Sequence, residues 1–261
     1  MGIRPIRATW YGLPRYYDIA FQSETPAEAD FLEAAFRRYA AIEVRRVLEP
    51  ACGSGRLVCE LARRGYGVVA FDTCRPALTY LRRRLARRKL MAHVLAADMN
   101  RFCLPPVFDA AYNTFDSFRH LLSEEAARGH LRSVADSLRP GGIYVLGFHL
   151  LPPDASEHCI ERWTERRGQT TVTVTLRVLT TDRRRRIEHI RINLLVRGRH
   201  STRRYFDEFP LRLYTARQFR RLLGQVPHLE LCDVFDFWYE IDRPLRLTDE
   251  LSDAVFILRR R

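Results

Sequence analysis

The stretch Val44-Arg45-Arg46-Val47-Leu48-Glu49-Pro50-Ala51-Cys52-Gly53-Ser54-Gly55-Arg56 decides how the rest of the chain is read. Val44 to Leu48 is an apolar run of strand length, Glu49 to Gly55 is a loop of small residues, and a helical pattern follows from Arg56 to Arg64. Strand, tight loop and helix in that order open a βαβ unit. Gly65 suits the C-cap of the helix, and Gly67-Val68-Val69-Ala70-Phe71 reads as a second buried strand finishing at Asp72. The alternation continues with a helix that has Pro76 near its first turn and Leu78, Leu81 and Leu85 on one face. Strands follow from His93 to Ala97, ending at Asp98, and from Val107 to Asn113. A helix from Ser123 to Leu138 and a turn at Pro140-Gly141-Gly142 then lead into the strand Ile143 to Phe148. Strands alternating with helices predict a doubly wound, mostly parallel sheet in the α/β class, with right-handed crossovers and helices on both faces.

Outside this core the pattern changes. Pro26 to Tyr39 is an amphipathic helix, preceded by the aromatic segment Trp10-Tyr11 and Tyr16 to Phe21. Past Phe148, Thr171 to Leu179, Ile187 to Val196 and Arg203 to Leu213 are three strand-rich runs, which predict an inserted antiparallel β-hairpin subdomain with Arg183 to Arg186 as a solvated turn. A helix from Thr215 to Leu223 and strands from Leu229 to Phe237 and Ala254 to Leu258 are expected to return to the main sheet. The organisation read from these shifts is a cap segment and helix over 1–43, a core over 44–150, an antiparallel insertion over 151–213 and a completion of the core sheet over 214–261.

At 261 residues, 46% hydrophobic and 29% charged, the composition is that of a globular protein with a sizeable core and excludes dominant disorder. No apolar run approaches the roughly 18 residues that span a bilayer, and the first residues carry no apolar signal region, so neither membrane spanning nor secretion is expected. The six cysteines form no CxxC pair and the eight histidines are dispersed, which points to reduced thiols, a cytoplasmic protein and no metal site. The 44 basic residues outnumber the 31 acidic ones for a formal charge of +13, and Lys89 is the sole lysine among them. Such a charge attracts phosphate-rich partners. Arginines on every expected helix, instead of in one stripe, look like a chain-wide bias, so a nucleic-acid partner is possible but not favoured.

A doubly wound sheet takes its ligand outside the carboxyl ends of its strands, beside the first βα loop. There Gly53 and Gly55 permit a tight turn and close approach of a ligand to the backbone. A dinucleotide fingerprint would require a third glycine where this chain has Val58. The run Val47 to Arg56 instead resembles motif I of the class I S-adenosylmethionine-dependent methyltransferases, in its form acidic residue, x, small residue, x, Gly, x, Gly, with Ala51 where the commonest form has glycine. The resemblance implies a Rossmann-like fold of the class I methyltransferase type and S-adenosylmethionine as cofactor. It further implies that Asp72 accepts hydrogen bonds from the ribose hydroxyls and that Asp98, with Met99, reads the adenine amino group. Phe108 to Leu121 looks like the fourth-strand motif beside the transferred methyl, and Leu138 to Gly142 like the turn before the fifth strand. The expected cofactor residues are thus Glu49, Ala51, Cys52, Gly53, Gly55, Asp72, Thr73, Asp98, Met99 and Asn113.

Acceptor chemistry is less uniform than cofactor binding in such enzymes. The expected activity is methyl transfer to nitrogen or oxygen of a small molecule, by a monomer or homodimer, because the hairpins and the aromatic N-terminal segment are placed to roof a closed pocket. Acceptor contacts are expected from Tyr11, Tyr16, Phe115, Asp116 and Arg119, with Arg191 or Arg203 facing an acidic acceptor. His120 and Tyr17 are the candidate proton acceptors. The alternatives are an RNA methyltransferase, motivated by the charge but lacking an Asn-Pro-Pro-Tyr type motif, and a non-catalytic cofactor-binding protein. If the charge is compositional, RNA association in a gel-shift series should be sequence-indifferent and lost by about 150 mM salt. Salt-resistant binding to one RNA would promote the RNA reading.

Overall fold

The computed structural model describes residues 3–156 and 159–261. The chain begins with β1 (Ile6–Arg7), α1 (Pro14–Ala20) and α2 (Thr25–Tyr39). It continues through β2 (Arg46–Pro50), α3 (Arg56–Arg63), β3 (Gly67–Asp72), α4 (Arg75–Arg88), β4 (Ala92–Ala96) and β5 (Phe108–Asn113). A 3₁₀ turn at Ser117–His120 leads to α5 (Glu124–Ser137) and β6 (Leu138–His149). Next come β7 (Ile160–Arg167), β8 (Thr170–Asp182), β9 (Ile187–Arg197) and β10 (Thr202–Arg212), then α6 (Ala216–Leu223), β11 (Leu229–Phe235) and β12 (Asp253–Arg260).

The large sheet has seven strands in the order β11-β12-β6-β5-β2-β3-β4. Strands β6, β5, β2, β3 and β4 run parallel, and β12 is antiparallel to both of its neighbours. This is the doubly wound, Rossmann-like arrangement expected from the sequence. Side-chain alternation divides its core in two. Tyr144, Leu146 and Phe148 of β6 pack with α5 and α6, whereas Ile143 and Val145 pack on the face of α2, α3 and α4. Asp109 lies buried in β5 because its carboxylate accepts from the amides of Arg45 and Arg46 and from the Arg139 guanidinium, which aligns the start of β2 with its neighbour.

Pro140-Gly141-Gly142 is not a separate turn before a strand but part of β6, whose register against β5 shifts between Phe108 and Ala110. Gly141, at φ 82°, lets the ladder take that irregularity. The smaller sheet, in the order β1-β10-β9-β8-β7, has five strands where the sequence shows three strand-rich runs. Strand β7 escapes notice because IERWTERR is charged at most positions, and β1 is only two residues long, parallel to β10. The inner face of this sheet, with Val174, Ile190 and Ile192, packs against Trp10, Ile19 and Phe21 of the N-terminal segment. The arginine turn is not wholly solvated. Arg183 donates to the carbonyls of Pro152 and Ala155, and Arg186 pairs with Glu124 and lies over the Tyr214 ring. Among the described residues no helix is long and apolar enough to cross a membrane.

Gly147 of β6 has no room for a side chain, since an added Cβ would lie 2.4 Å from the Thr114 carbonyl oxygen. Gly147→Ala should therefore destabilise the fold by about 2 to 3 kcal/mol, as overpacking against fixed backbone does. Denaturant unfolding that moves by less than about 0.5 kcal/mol would contradict this close approach.

Candidate active site

Between β2 and α3 the backbone coils through the left-handed region three times, at Ala51 (φ 53°), Gly53 (φ 51°) and Gly55 (φ 68°). The Cys52 amide is tied to the Phe71 carbonyl at 3.0 Å, and the Gly53 amide donates to Asp72 Oδ2 at 2.8 Å. Asp72 Oδ1 accepts from the Cys74 amide at 2.7 Å, so one carboxylate joins the loops that follow β2 and β3. Burial raises the Asp72 pKa, and the backbone amides oppose that rise.

These loops border a cavity of about 570 Å³ at the carboxyl ends of the strands. Its walls include Glu49, Ala51, Cys52 and Gly53 from the first loop, Asp72 and Thr73 from the second, Asp98 and Met99 beyond β4, and Asn113 at the end of β5. Gly55 is the exception among the expected cofactor residues. It is the N-cap of α3, and its α-carbon faces Leu81, where an added Cβ would collide at 2.2 Å. Glu49 is buried and accepts from the Tyr112 hydroxyl at 2.8 Å. Burial, opposed by that hydrogen bond and by Arg56, pushes its pKa up to about 8. Asn113 donates to the Pro50 carbonyl at 2.8 Å, while its buried Oδ1 has no hydrogen-bond partner. Burial also raises the Cys52 thiol, which leaves it protonated and not a nucleophile.

A second cavity, of about 580 Å³, lies between the large sheet and the small one. It shares Tyr11, Tyr17, Phe115 and His120 with the first, and these four form the wall between the two spaces. The Tyr11 hydroxyl is 2.6 Å from His120 Nε2. Burial lowers the His120 pKa, keeping the ring neutral. Burial raises the pKa of Tyr17 and of Tyr11, so both remain protonated hydrogen-bond donors at neutral pH. Tyr17 is thus unsuited to the proton-accepting role expected of it. Asp116 and Arg119 also line the second cavity, joined to Glu188 of β9 by an ion-pair chain.

Three expected contacts are misplaced. Tyr16, about a quarter-turn of helix away from Tyr17, reaches neither cavity and packs on Tyr205 at 5.9 Å between ring centres. Arg191 alternates with the buried Ile190 and Ile192, so it points away from the cavity to Glu208 and the Phe206 ring. Arg203 lies exposed near Tyr205. Residues that the sequence reading missed include Ser54 and Arg56 on the first cavity, and Trp163, Phe209 and His149 on the second. Arg56 is held by Glu28, whose carboxylate also accepts from Thr114; nothing in the pattern of α2 marks Glu28 as other than a helix residue.

Residues 47–142 match the family described as a methyltransferase domain. Over these residues the chain is similar to that family, and its fold is that of class I S-adenosylmethionine-dependent methyltransferases. The cypemycin N-terminal methyltransferase of Streptomyces sp. is 29% identical over 130 residues, covering 50% of this chain and 51% of the relative. The chain spans little more than half the length of the curated relatives it matches. An S-adenosylmethionine-dependent methyltransferase from Clostridium acetobutylicum ATCC 824 superposes with a TM-score of 0.76 at 16% identity, over 94% of this chain and 96% of that one. A sugar N-methyltransferase from Streptoalloteichus sp. ATCC 53650 gives 0.75 at 19% identity, over 100% and 99%. At such identities the likeness is one of fold. The first cavity suits the family's cofactor on its own features: an open cradle at Gly53, an unpaired acceptor at Asn113, and a buried acid at Glu49 in need of a cation.

Ala51 occupies a left-handed conformation that costs a non-glycine residue about 1 to 2 kcal/mol, against the 0.5 to 1 kcal/mol lost to the greater freedom of an unfolded glycine. Ala51→Gly should therefore stabilise the protein by about 0.5 to 1 kcal/mol, the reverse of the usual sign. Thermal unfolding would show a rise of roughly 2 °C; a fall would refute the strain.

Proposed function

We propose that the protein transfers a methyl group from S-adenosylmethionine to an atom of a small molecule, nitrogen or oxygen, held in the second cavity. The observation that carries this reading is the pair of adjoining cavities, one bordered by the glycine loop and the other closed by the aromatic N-terminal segment and the small sheet. A space of about 580 Å³ suits a compact acceptor. An amine acceptor agrees with the names of the sugar N-methyltransferase and the N-terminal methyltransferase to which the chain is similar.

Asp72 and Thr73 would hold the ribose, Asp98 and Met99 the adenine, and Glu49 and Asn113 the amino-acid end of the cofactor, beside the open backbone at Gly53. When bound, the cofactor supplies a methyl group on a positively charged sulfur, already activated for in-line displacement. The protein's own contribution is alignment and exclusion of water, of which alignment contributes on the order of 7 to 11 kcal/mol. Tyr11, Tyr17 and Phe115 keep the shared wall aromatic and water-poor. Through its neutral ring, His120 holds the Tyr11 hydroxyl and so fixes that wall.

Calorimetry with S-adenosylhomocysteine, the demethylated product, tests the cofactor part. Glu49 carries its proton below a pH of about 8, and pairing with the ligand's ammonium group requires the carboxylate. Binding near pH 7 should therefore release a proton, and affinity should rise toward pH 8 by up to tenfold per unit. Glu49→Gln should bind more weakly and without that pH slope; a pH-independent wild type would rule out Glu49 as the partner. Incubation with methyl-labelled cofactor and a small-molecule cell extract tests the rest. Label in a small product supports the proposal, and label in RNA, or in nothing, refutes it.

A further inference from the structure

His149 ends β6 and Asp253 opens β12, and the two face each other across the antiparallel ladder. His149 Nδ1 lies 2.8 Å from Asp253 Oδ1. Its backbone amide donates to Asp116 Oδ1 at 3.1 Å, which anchors the residue, and Phe237 packs edge-on to the ring at 5.0 Å, so the imidazole is held by Asp253 and by Phe237. Both His149 and Asp253 line the second cavity and neither lines the first. With Nδ1 engaged by the carboxylate, Nε2 is the nitrogen left to the cavity, and the side chain remains 36% exposed.

The charged groups around it are Asp116 beyond β5, Arg119 in the 3₁₀ turn and Asp253 on β12; Glu161 of β7 and Glu188 of β9 line the same space. Burial disfavours the imidazolium and Arg119 opposes it, but Asp116 and Asp253 outweigh them and raise the His149 pKa above its ordinary value. His120 differs in each respect. Its pKa is lowered, and its Nε2 is occupied by the Tyr11 hydroxyl. Four carboxylates, those of Asp116, Glu161, Glu188 and Asp253, against one guanidinium make the chamber acidic within a basic protein, which favours an acceptor that arrives as an ammonium ion. An ammonium nitrogen has no lone pair and must lose a proton before it can attack.

Resting on the methyl-transfer reading above, we propose that His149 is the proton acceptor for an amine substrate in the second cavity, with Asp253 as its positioning residue. The substrate's N–H proton passes to His149 Nε2. The freed lone pair forms the N–CH₃ bond as the C–S bond breaks and its electrons remain on sulfur, leaving a neutral thioether. The imidazolium, stabilised by Asp253, then returns its proton to water. The arrangement is that of a base oriented by a carboxylate behind the ring.

The test uses the full chain with His149→Gln and Asp253→Asn. Ring-proton NMR, with His149→Gln giving the assignment, should show His149 titrating above the ordinary histidine range in the wild type and measurably lower in Asp253→Asn. Calorimetry with S-adenosylhomocysteine should give all three proteins the same affinity within about twofold, since neither residue borders the first cavity. With the acceptor traced by label from the extract, His149→Gln should lose about 10²- to 10⁴-fold in kcat/KM. Because the base acts when neutral, activity rises with pH through the His149 pKa, and Asp253→Asn should move that acid limb to lower pH. An unshifted limb or ring titration in Asp253→Asn, or a rate within about threefold of wild type in His149→Gln, overturns the pair. Absence of any labelled product from the wild type, with the NMR shift intact, overturns instead the methyl-transfer reading on which it rests. Should His149→Gln fail to fold, the half-exposed Asp253→Asn decides alone.

Discussion

Everything the first cavity offers depends on the Asp72 carboxylate being held by two backbone amides, those of Gly53 and Cys74. The glycine loop is conformationally expensive, with three left-handed residues in five positions, and hydrogen bonds to a charged oxygen compensate better than neutral ones. The same carboxylate holds the first turn beyond β3, so the two loops cannot move apart without breaking hydrogen bonds to a charged, half-buried acid. Asp72 is thereby both a lining residue of the cavity and the clamp that shapes it. A ribose hydroxyl would meet oxygen atoms already fixed in place.

A second clamp secures the wall between the cavities. Asp18 of α1 is 1% exposed and accepts from the Tyr80 hydroxyl at 3.0 Å, from Arg84 at 2.5 Å and from Arg167 at 2.6 Å. Tyr80 and Arg84 belong to α4 of the large sheet's layer, and Arg167 to β7 of the small sheet. One buried carboxylate therefore connects the helix that carries Tyr17 to both halves of the molecule. Removing one member of such a network leaves uncompensated buried charge, which makes it a strict positional constraint even where its net contribution to stability is small.

The parallel part of the large sheet was legible because short apolar runs, such as Gly67 to Phe71 and Ile143 to Leu146, alternate with helical patterns, and Gly53, Asp72 and Asp98 fall at or just beyond the ends of β2, β3 and β4. What escaped the sequence depends on angles and distances that periodicity does not carry. Tyr16 and Tyr17 are equivalent as letters, yet successive helical residues point about 100° apart, and only one can face the cavity. Gly55 looks like a ligand-contacting glycine and serves instead where α3 meets Leu81. Strand β7 presents charges on both faces, one of them closing against α1. The approach of His149 and Asp253, 104 residues apart, follows from β12 pairing antiparallel with β6, a pairing that neither strand's composition specifies.

The arginine bias has a structural use. Guanidiniums at Arg119, Arg183, Arg186 and Arg212 donate to backbone carbonyls that loops would otherwise leave unmet, most of them while also pairing with a carboxylate or lying against a ring. A lysine ammonium lacks the planar fork needed to make both contacts at once. The sole lysine, Lys89, caps the end of α4 away from the loops that border the cavities. With the amine acceptor proposed above, the donor's methyl group would meet scarcely any side-chain amine of the protein's own, since the chain holds one lysine and that one lies away from both cavities.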